Sequence, residues 1–216
     1  MKIIAINGSP KPNGNTAKLL NKAVEGATSK GAEVEIINLY KLNYKGCIAC
    51  YSCKKKESKK PHHCAVKDDL TPIFEKIKNA DAVIFASPNY FSDITGEMRS
   101  FLERLLYPYL PYDRTVTEGT YFPKKLKTAF IYTMGMPEGI LTERFKPMED
   151  FISQIFRVPV KTLHSNNHYP FRDDNYSKYE IYAPDAEHII KNRDEFFPID
   201  CEKAFNFGVD LVLDHN

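Results

Sequence analysis

The sequence has no long hydrophobic run and almost no excess charge, and each absence excludes a broad class of protein. Every apolar run is far shorter than the ~20 residues that a membrane-spanning helix needs. The 30 basic and 28 acidic residues leave a net charge of +2, which gives no reason to expect nucleic acid or a membrane as a partner. The start of the chain, Met1-Lys2 and a short apolar run, has no small-residue cleavage site, so we expect no secretory signal.

Hydrolytic motifs are also missing, and cysteines are few. The sequence contains no G-x-S-x-G, no H-E-x-x-H and no persuasive Ser–His–Asp set, and we expect His164 and His168 to lie at the surface. Of the five cysteines, four lie between Cys47 and Cys64. A chain of 216 residues with 43% hydrophobic content does not need a disulfide scaffold, so we expect a cytoplasmic protein with reduced thiols.

Short apolar runs alternate with amphipathic segments along most of the chain. Most of the apolar runs lack a two-residue alternation, which is typical of strands buried on both faces. The predicted strands are 3–6, 34–39, 82–86, 128–133 and 158–163, and the predicted helices are 16–29, 68–78, 95–107, 145–156 and 200–213.

This alternation predicts an α/β fold, a three-layer sandwich with helices on both faces of a parallel sheet. Five strands fit the flavodoxin-like order 2-1-3-4-5 better than the six of a full dinucleotide-binding fold. We expect residues 1–165 to form this domain. Residues 166–216 are predicted to be a C-terminal extension, packed on the same domain or on a partner subunit.

The first loop, Gly8 to Thr16, follows a predicted strand and precedes a predicted helix. It is not a Walker A loop, because five residues separate Gly8 from Gly14 and Asn15 stands where lysine is required. It also lacks G-x-G-x-x-G. Backbone N–H groups at the start of the helix, with small hydroxyl and amide side chains, suit one monoester phosphate such as that of FMN. An ordinary capped helix is the alternative.

Two further loops follow strands three and four of the predicted sheet. Open α/β sheets bind ligands at this edge, near the switch point between strands one and three. In the second loop, the flat faces of Tyr90 and Phe91 suit an aromatic ring system, although such a pair alone is more often core. The third loop, 133–139, offers backbone N–H groups that could bond the pyrimidine edge of a flavin.

The segments GSPKPNGNT and SPNYFSDITGEMRSFLERL resemble the NADPH-dependent FMN reductases, multimeric flavodoxins and iron–sulfur flavoproteins of the flavodoxin-like superfamily. The resemblance covers about the first 160 residues and implies FMN as cofactor and a homodimer or homotetramer. It implies no catalytic side chain, because the chemistry takes place on the flavin. The predicted cofactor-binding residues are Ser9, Lys11, Gly14, Asn15, Thr16, Ala17, Pro88, Asn89, Tyr90, Phe91, Thr133, Met134, Gly135 and Gly139.

Four cysteines follow the second predicted strand with the spacing C-x₂-C-x₂-C and then a ten-residue gap to the fourth: Cys47, Cys50, Cys53 and Cys64. The first three are spaced like bacterial cluster ligands, and iron–sulfur flavoproteins carry such a set in this region. The long gap, which holds five lysines, departs from their pattern. We therefore predict no metal site and keep a [4Fe-4S] cluster as the alternative, with zinc less favoured. The lysines, Lys54 among them, are predicted to be a solvated face.

Two functional classes remain open from the sequence. The first is an FMN-dependent oxidoreductase that uses NADH or NADPH to reduce a quinone, another flavin or another small electron acceptor. The second is a flavodoxin-like electron carrier, with an iron–sulfur cluster as a second centre in one form of this hypothesis. Neither class requires a protein acid or base, since the flavin supplies the chemistry.

Overall fold

The computed structural model describes residues 1–57, 61–168 and 191–214. In these ranges five strands form one parallel sheet in the order β2-β1-β3-β4-β5, which confirms the predicted fold. The strands are β1 (Lys2–Asn7), β2 (Glu33–Asn38), β3 (Ala82–Pro88), β4 (Lys127–Thr133) and β5 (Lys161–Ser165).

Five α-helices cover the two faces of this sheet. They are α1 (Asn15–Ser29), α2 (Leu70–Asn79), α3 (Gly96–Leu106), α4 (Thr142–Phe156) and α5 (Phe197–Leu213). Short 3₁₀ turns occupy Leu39–Lys41, Ser52–Lys54 and Tyr107–Tyr109, and a π-helical turn, Asn192–Phe196, leads into α5. No helix in the described part of the chain combines the length and apolar character needed to cross a membrane.

The central strands bury side chains on both faces, which explains their continuous apolar runs. On one face, Ile4 of β1 and Phe85 of β3 pack with α2, α3 and α4. On the other face the strands present smaller residues, among them Ala5 and Ala86, toward α1 and α5. The small side chains allow α1 to lie close to the sheet, so its first residue is held near the carboxyl end of β1.

The fifth strand begins three residues later than predicted. Helix α4 continues to Phe156 and ends at Arg157, which adopts a left-handed conformation with φ +57°. Pro159 follows and has no backbone N–H to donate to a sheet ladder. The chain therefore reaches β4 only at Lys161, and the apolar residues 158–160 belong to the connection.

Helix α5 packs on α1 through two glycines that let the backbones approach closely. A Cβ added to Gly208 would lie 1.9 Å from the carbonyl oxygen of Ala23, and one added to Gly26 would lie 1.9 Å from that of Phe205. Ala204 and Leu211 of α5 are buried in the same cluster as Leu19 of α1. The division of the chain at residue 165 stays a prediction, and the aromatic residues 169–182 lie outside the described residues.

Replacing Gly208 by alanine should therefore destabilise the fold. The Cβ must push α5 away from α1, and overpacking of this kind costs about 1–3 kcal/mol, more than the gain of up to ~1 kcal/mol from alanine's helix propensity. We expect a lower urea midpoint for Gly208→Ala. The control is Gly96→Ala, at the start of α3, where an added Cβ meets nothing within 4 Å. Equal midpoints for the two variants would contradict the close crossing.

Candidate functional site

Three strand ends meet at the carboxyl edge of the sheet and bring the three predicted loops together. The backbone N–H of Gly8, after β1, donates to the carbonyl of Ala86 in β3 at 2.8 Å. The N–H of Asn89, after β3, donates to the carbonyl of Thr133 in β4, also at 2.8 Å. The hydroxyl groups of Thr16 and Thr133 lie 2.6 Å apart and connect α1 to β4. The loops thus share one connected surface.

The first loop forms a compact turn before α1. The Ser9 side chain is 6% exposed, and its hydroxyl accepts a hydrogen bond from the Lys11 N–H at 3.2 Å. The N–H of Gly14 donates to the Lys11 carbonyl at 3.1 Å, and a Cβ on Gly14 would lie 3.0 Å from that of Lys11. A larger residue at position 14 would therefore crowd Lys11, and the turn delivers the chain directly into the first turn of α1.

The amino end of α1 carries uncompensated positive potential. Its N-cap, Gly14, makes no side-chain capping bond, and the first turn contains no acidic residue. Asn15 is half-buried, whereas Thr16 and Ala17 are buried behind it. Free N–H groups at such a helix end attract anions, because the helix dipole places partial positive charge there.

The second loop is a strained hairpin between Tyr90 and Asp93. The two residues exchange backbone hydrogen bonds of 2.7 and 3.1 Å. Between them, Phe91 (φ +52°) and Ser92 (φ +65°) both adopt left-handed conformations, which cost non-glycine residues roughly 1 kcal/mol or more each. The Phe91 side chain is fully exposed, and Tyr90 is 44% exposed. The hairpin presents both rings at the carboxyl edge.

Asn89, at the foot of this hairpin, has a buried side-chain nitrogen with no partner in the described part of the chain. A buried amide without a partner is costly, by about 1–3 kcal/mol. The cost disappears when a ligand supplies an acceptor. Pro88, just before it, is half-buried at the end of β3.

The third loop begins buried and ends exposed. Thr133 and Met134 are buried, and the backbone N–H of Met134 donates to the Ser165 carbonyl at 3.0 Å. Gly135 and Gly139 are exposed, and Gly139 has a φ of +84°, a conformation that favours glycine. The loop therefore offers backbone rather than bulky side chains beside Thr133.

A buried polar cluster at the end of β5 was not predicted from the sequence. The Ser165 hydroxyl contacts both Nε2 of His168 and a carboxylate oxygen of Asp200, the latter from the first turn of α5. Burial lowers the pKa of His168 to about 4, so the imidazole is neutral at neutral pH. The surface position predicted for His168 is wrong. Serine, not histidine, occupies the centre, so this arrangement joins α5 to β5 and is not a hydrolytic triad.

The four clustered cysteines line a second region, a single pocket beside α3 that is also walled by Arg104 and Tyr107. Cys47 and Cys50 are exposed, Cys53 is buried and Cys64 is half-buried. Hydrogen bonds from the backbone and side chain of Ser52 lower the pKa of the Cys50 thiol, whereas burial raises that of Cys53. In the described ranges no three His, Cys, Asp or Glu side chains are placed to share a single metal ion.

Lys54 does not belong to a solvated face as predicted. Its ammonium group donates to the carbonyls of Tyr107 and Leu110, both at 2.5 Å, and lies 4.6 Å from the centre of the Tyr107 ring. Burial lowers the pKa of this lysine. Lys55 and Lys56 are exposed, and Lys59 and Lys60 lie outside the described residues. Lys54 thus fixes the cysteine segment to the end of α3, an interaction that has no signal in the local sequence.

Comparison with known proteins identifies the family and the relatives that this chain resembles. The model of the NADPH-dependent FMN reductase family matches residues 1–142. An iron-sulfur flavoprotein of Methanocaldococcus jannaschii is 38% identical over 104 residues, 48% of this chain and 51% of that protein. One from Archaeoglobus fulgidus is 33% identical over 139 residues, 64% of this chain and 62% of that protein. The chain spans about half to three fifths of the length of these curated relatives.

Solved structures share the fold over nearly the whole chain. An NAD(P)H:quinone oxidoreductase from Methanothermobacter marburgensis superimposes with a TM-score of 0.70 at 18% identity, covering 100% of this chain and 99% of that one. An azoreductase from Bacillus anthracis gives 0.63 at 16% identity, covering 97% and 99%. These likenesses confirm the flavodoxin-like architecture. The family match over residues 1–142 leads to one conclusion: the chain belongs to the NADPH-dependent FMN reductase family.

Proposed function

We propose that this chain binds one FMN, without a covalent bond, at the carboxyl edge of its sheet and acts as an NAD(P)H-dependent oxidoreductase on a small electron acceptor. The observation that carries the proposal is that two groups without hydrogen-bond partners in the described structure lie at that edge. The uncapped start of α1 attracts an anion, and the buried side-chain nitrogen of Asn89 needs an acceptor. FMN carries both a phosphate and a ring with acceptor atoms.

The phosphate would lie against the first turn of α1. The N–H groups of Asn15, Thr16 and Ala17 point along the helix axis at this end, and Gly14 lets the backbone approach the ligand closely. Ser9 and Lys11 complete the turn on the other side. Thr16, whose hydroxyl is 2.6 Å from that of Thr133, has a positioning role as well, because it holds the helix start against β4.

The ring of the flavin would lie between the second and third loops. Pro88, Asn89, Tyr90 and Phe91 form one side, with Asn89 as the hydrogen-bond donor. Thr133, Met134, Gly135 and Gly139 form the other, where exposed backbone of the two glycines allows close approach. When bound, FMN supplies hydride and single-electron chemistry at its own ring. The protein residues would hold that ring in place, and none is assigned a proton-transfer role.

Introducing a negative charge at Asn15 should weaken FMN binding strongly. A glutamate at the first position of α1 favours the helix itself, so folding is preserved, but it opposes the phosphate by about 4 kcal/mol if the charges lie ~4 Å apart. We expect Asn15→Glu to lower FMN affinity at least ~100-fold in a fluorescence titration. Riboflavin, which lacks the phosphate, should lose much less. Asn21→Glu, an exposed position on the same helix, is the matched control.

Equal losses for FMN and riboflavin would contradict the phosphate assignment. The enzymatic part of the proposal is tested separately, by adding NADPH or NADH to the FMN-loaded protein without oxygen. An oxidoreductase loses its visible flavin absorbance with the nucleotide alone. An electron carrier keeps that absorbance until a separate reductase is added, so this result would favour the carrier.

We also propose a homodimer or homotetramer, supported by an apolar groove of about 320 Å³ between α3 and α4. Its walls include Leu106, Met148 and Phe151, and Phe151 is 50% exposed. Apolar surface of this kind commonly marks a subunit contact.

Charging the groove should therefore dissociate the oligomer. We expect Phe151→Asp to weaken self-association at least ~10-fold in sedimentation at micromolar concentration, because a carboxylate cannot be buried there unpaired. Ile199→Asp, at an apolar position of α5 with 49% exposure, is the control. A wild-type protein that sediments as a monomer would exclude this proposal.

A second candidate function is that of an iron–sulfur flavoprotein, and the observation that favours it is the shared cysteine pocket. All four thiols wall one space although Cys53 and Cys64 are separated by ten residues in sequence. In a [4Fe-4S] cluster each cysteine binds a different iron, so the sulfurs stand farther apart than ligands around one ion. The donor set, four cysteines around one pocket, therefore fits the ligands of such a cluster.

Iron and acid-labile sulfide in protein purified without oxygen decide between the two readings of this pocket. About four irons per chain would establish the cluster, and near-zero iron after reconstitution with ferrous iron and sulfide would exclude it. In either case we expect Cys50→Ser to keep flavin reduction by NADPH, because the flavin loops do not include the cysteine segment. Cys201→Ser, on α5, is the matched control. Loss of flavin reduction in Cys50→Ser, but not in Cys201→Ser, would show that the cysteine pocket is required for reduction of the flavin by NADPH.

A further inference from the structure

Arg104 is the most deeply buried charged residue next to the cysteine pocket. It lies on α3, is 2% exposed and is the largest of the fully buried side chains in the described part of the chain. Its partner Asp68 uses both carboxylate oxygens, one contacting Nη1 and the other Nη2, the latter at 3.1 Å. Burying a charged group costs several kcal/mol unless it is paired, and the Asp68 carboxylate supplies that partner.

Two carbonyls fix the plane of the guanidinium further. Nη1 donates to the carbonyl of Lys45 at 3.1 Å, and Nη2 donates to that of Val66 at 3.2 Å. These residues flank the cysteine segment on both sides. With four acceptors on the outer nitrogens, the remaining donor, Nε–H, has one direction left, and it points at the sulfur of Cys64 with a separation of 3.4 Å.

The surrounding backbone is built around the same pocket. Ala49 (φ +51°) and Tyr51 (φ +55°), on either side of Cys50, are left-handed, and strain of this kind concentrates at functional sites. Gly46, next to Cys47, packs on α3 so closely that a Cβ would lie 3.1 Å from the Ser100 hydroxyl. The chain just before Cys47 is therefore placed against α3 by a contact that involves no thiol.

We infer that Arg104 is a positioning residue for the iron–sulfur centre of the second candidate function, on which this inference rests. Its Nε–H holds Cys64 as a ligand and raises the reduction potential of the centre. The reduced centre carries one more negative charge than the oxidised one. A donor aimed at a ligand sulfur withdraws electron density and stabilises the reduced form more.

Two variants remove the donor while protecting the fold. Arg104→Lys keeps a positive charge for Asp68. A lysine cannot pair with both carboxylate oxygens of Asp68 and donate a hydrogen bond to the Cys64 sulfur at the same time. The double variant Arg104→Met with Asp68→Asn removes both charges, so no carboxylate is left buried without its partner. The control is Arg99→Lys on the same helix, where the arginine is about half exposed and pairs with Glu103.

Each protein is reconstituted with ferrous iron and sulfide, and its reduction potential is measured by dithionite titration followed by electron paramagnetic resonance. We expect a more negative potential in both Arg104 variants, beyond the difference between wild type and Arg99→Lys. We also expect iron to be lost to EDTA about 10-fold faster or more. Unchanged potentials and iron release, with a lowered urea midpoint, would reduce Arg104 to a structural contact and overturn the inference.

Absence of iron in the reconstituted wild type would refute the second candidate function and this inference together. That result is distinguishable from failure of the Arg104 assignment alone, in which the wild type holds iron and the variants behave like it. FMN binding and its reduction by NADPH are measured on the same samples. These two measurements test the flavin site, whether or not the protein holds iron and whether or not the Arg104 variants change the centre.

Discussion

The parallel pairing of β1, β3 and β4 is the constraint on which the rest of the structure depends. All strands of a parallel sheet end at the same edge. The loops that follow β1, β3 and β4, although far apart in sequence, therefore all begin at that edge. The hydrogen bonds from Gly8 to Ala86 and from Asn89 to Thr133 continue the pairing one residue beyond the strands. They hold the loops at a spacing set by the sheet. A flat ligand inserted there would meet backbone whose position is determined before binding, which reduces the entropy lost on association.

The two faces of the sheet differ in the size of the side chains that they pack against the helices, and this difference affects the carboxyl edge. The face that carries Phe85 and Phe130 packs large side chains against α2, α3 and α4. The other face uses alanines, so that α1 can run close to β1 and β3, and the glycine crossing then seats α5 on α1. Helix α1 is thereby fixed by the sheet on one side and by α5 on the other, and this fixes the position of its amino end. The buried Ser165, His168 and Asp200 cluster adds a polar contact between α5 and β5 near the same edge.

Sequence patterns predicted the parts of this molecule that depend on local order. Apolar runs and turn residues identified all five strands and the order of the sheet, because buried parallel strands and their loops have distinct compositions. Contacts made across long sequence distances gave no such signal. The burial of Lys54 depends on carbonyls more than 50 residues away, and that of His168 depends on Asp200. The gathering of Cys64 with Cys47 depends on Arg104, 40 positions beyond Cys64.

Helix α3 touches both regions, and this has a consequence for how the protein can vary. At its start, the Thr95 hydroxyl contacts the carbonyl of Gly8 at 2.8 Å; farther along, Arg104 contacts Cys64. Nine residues of helix span about 13 Å, whatever the sequence of the surrounding loops. The separation between the carboxyl edge and the cysteine pocket is therefore set by one rigid element. A longer or shorter segment between Cys53 and Cys64 would leave that separation unchanged, because both ends of it are fixed by the same helix.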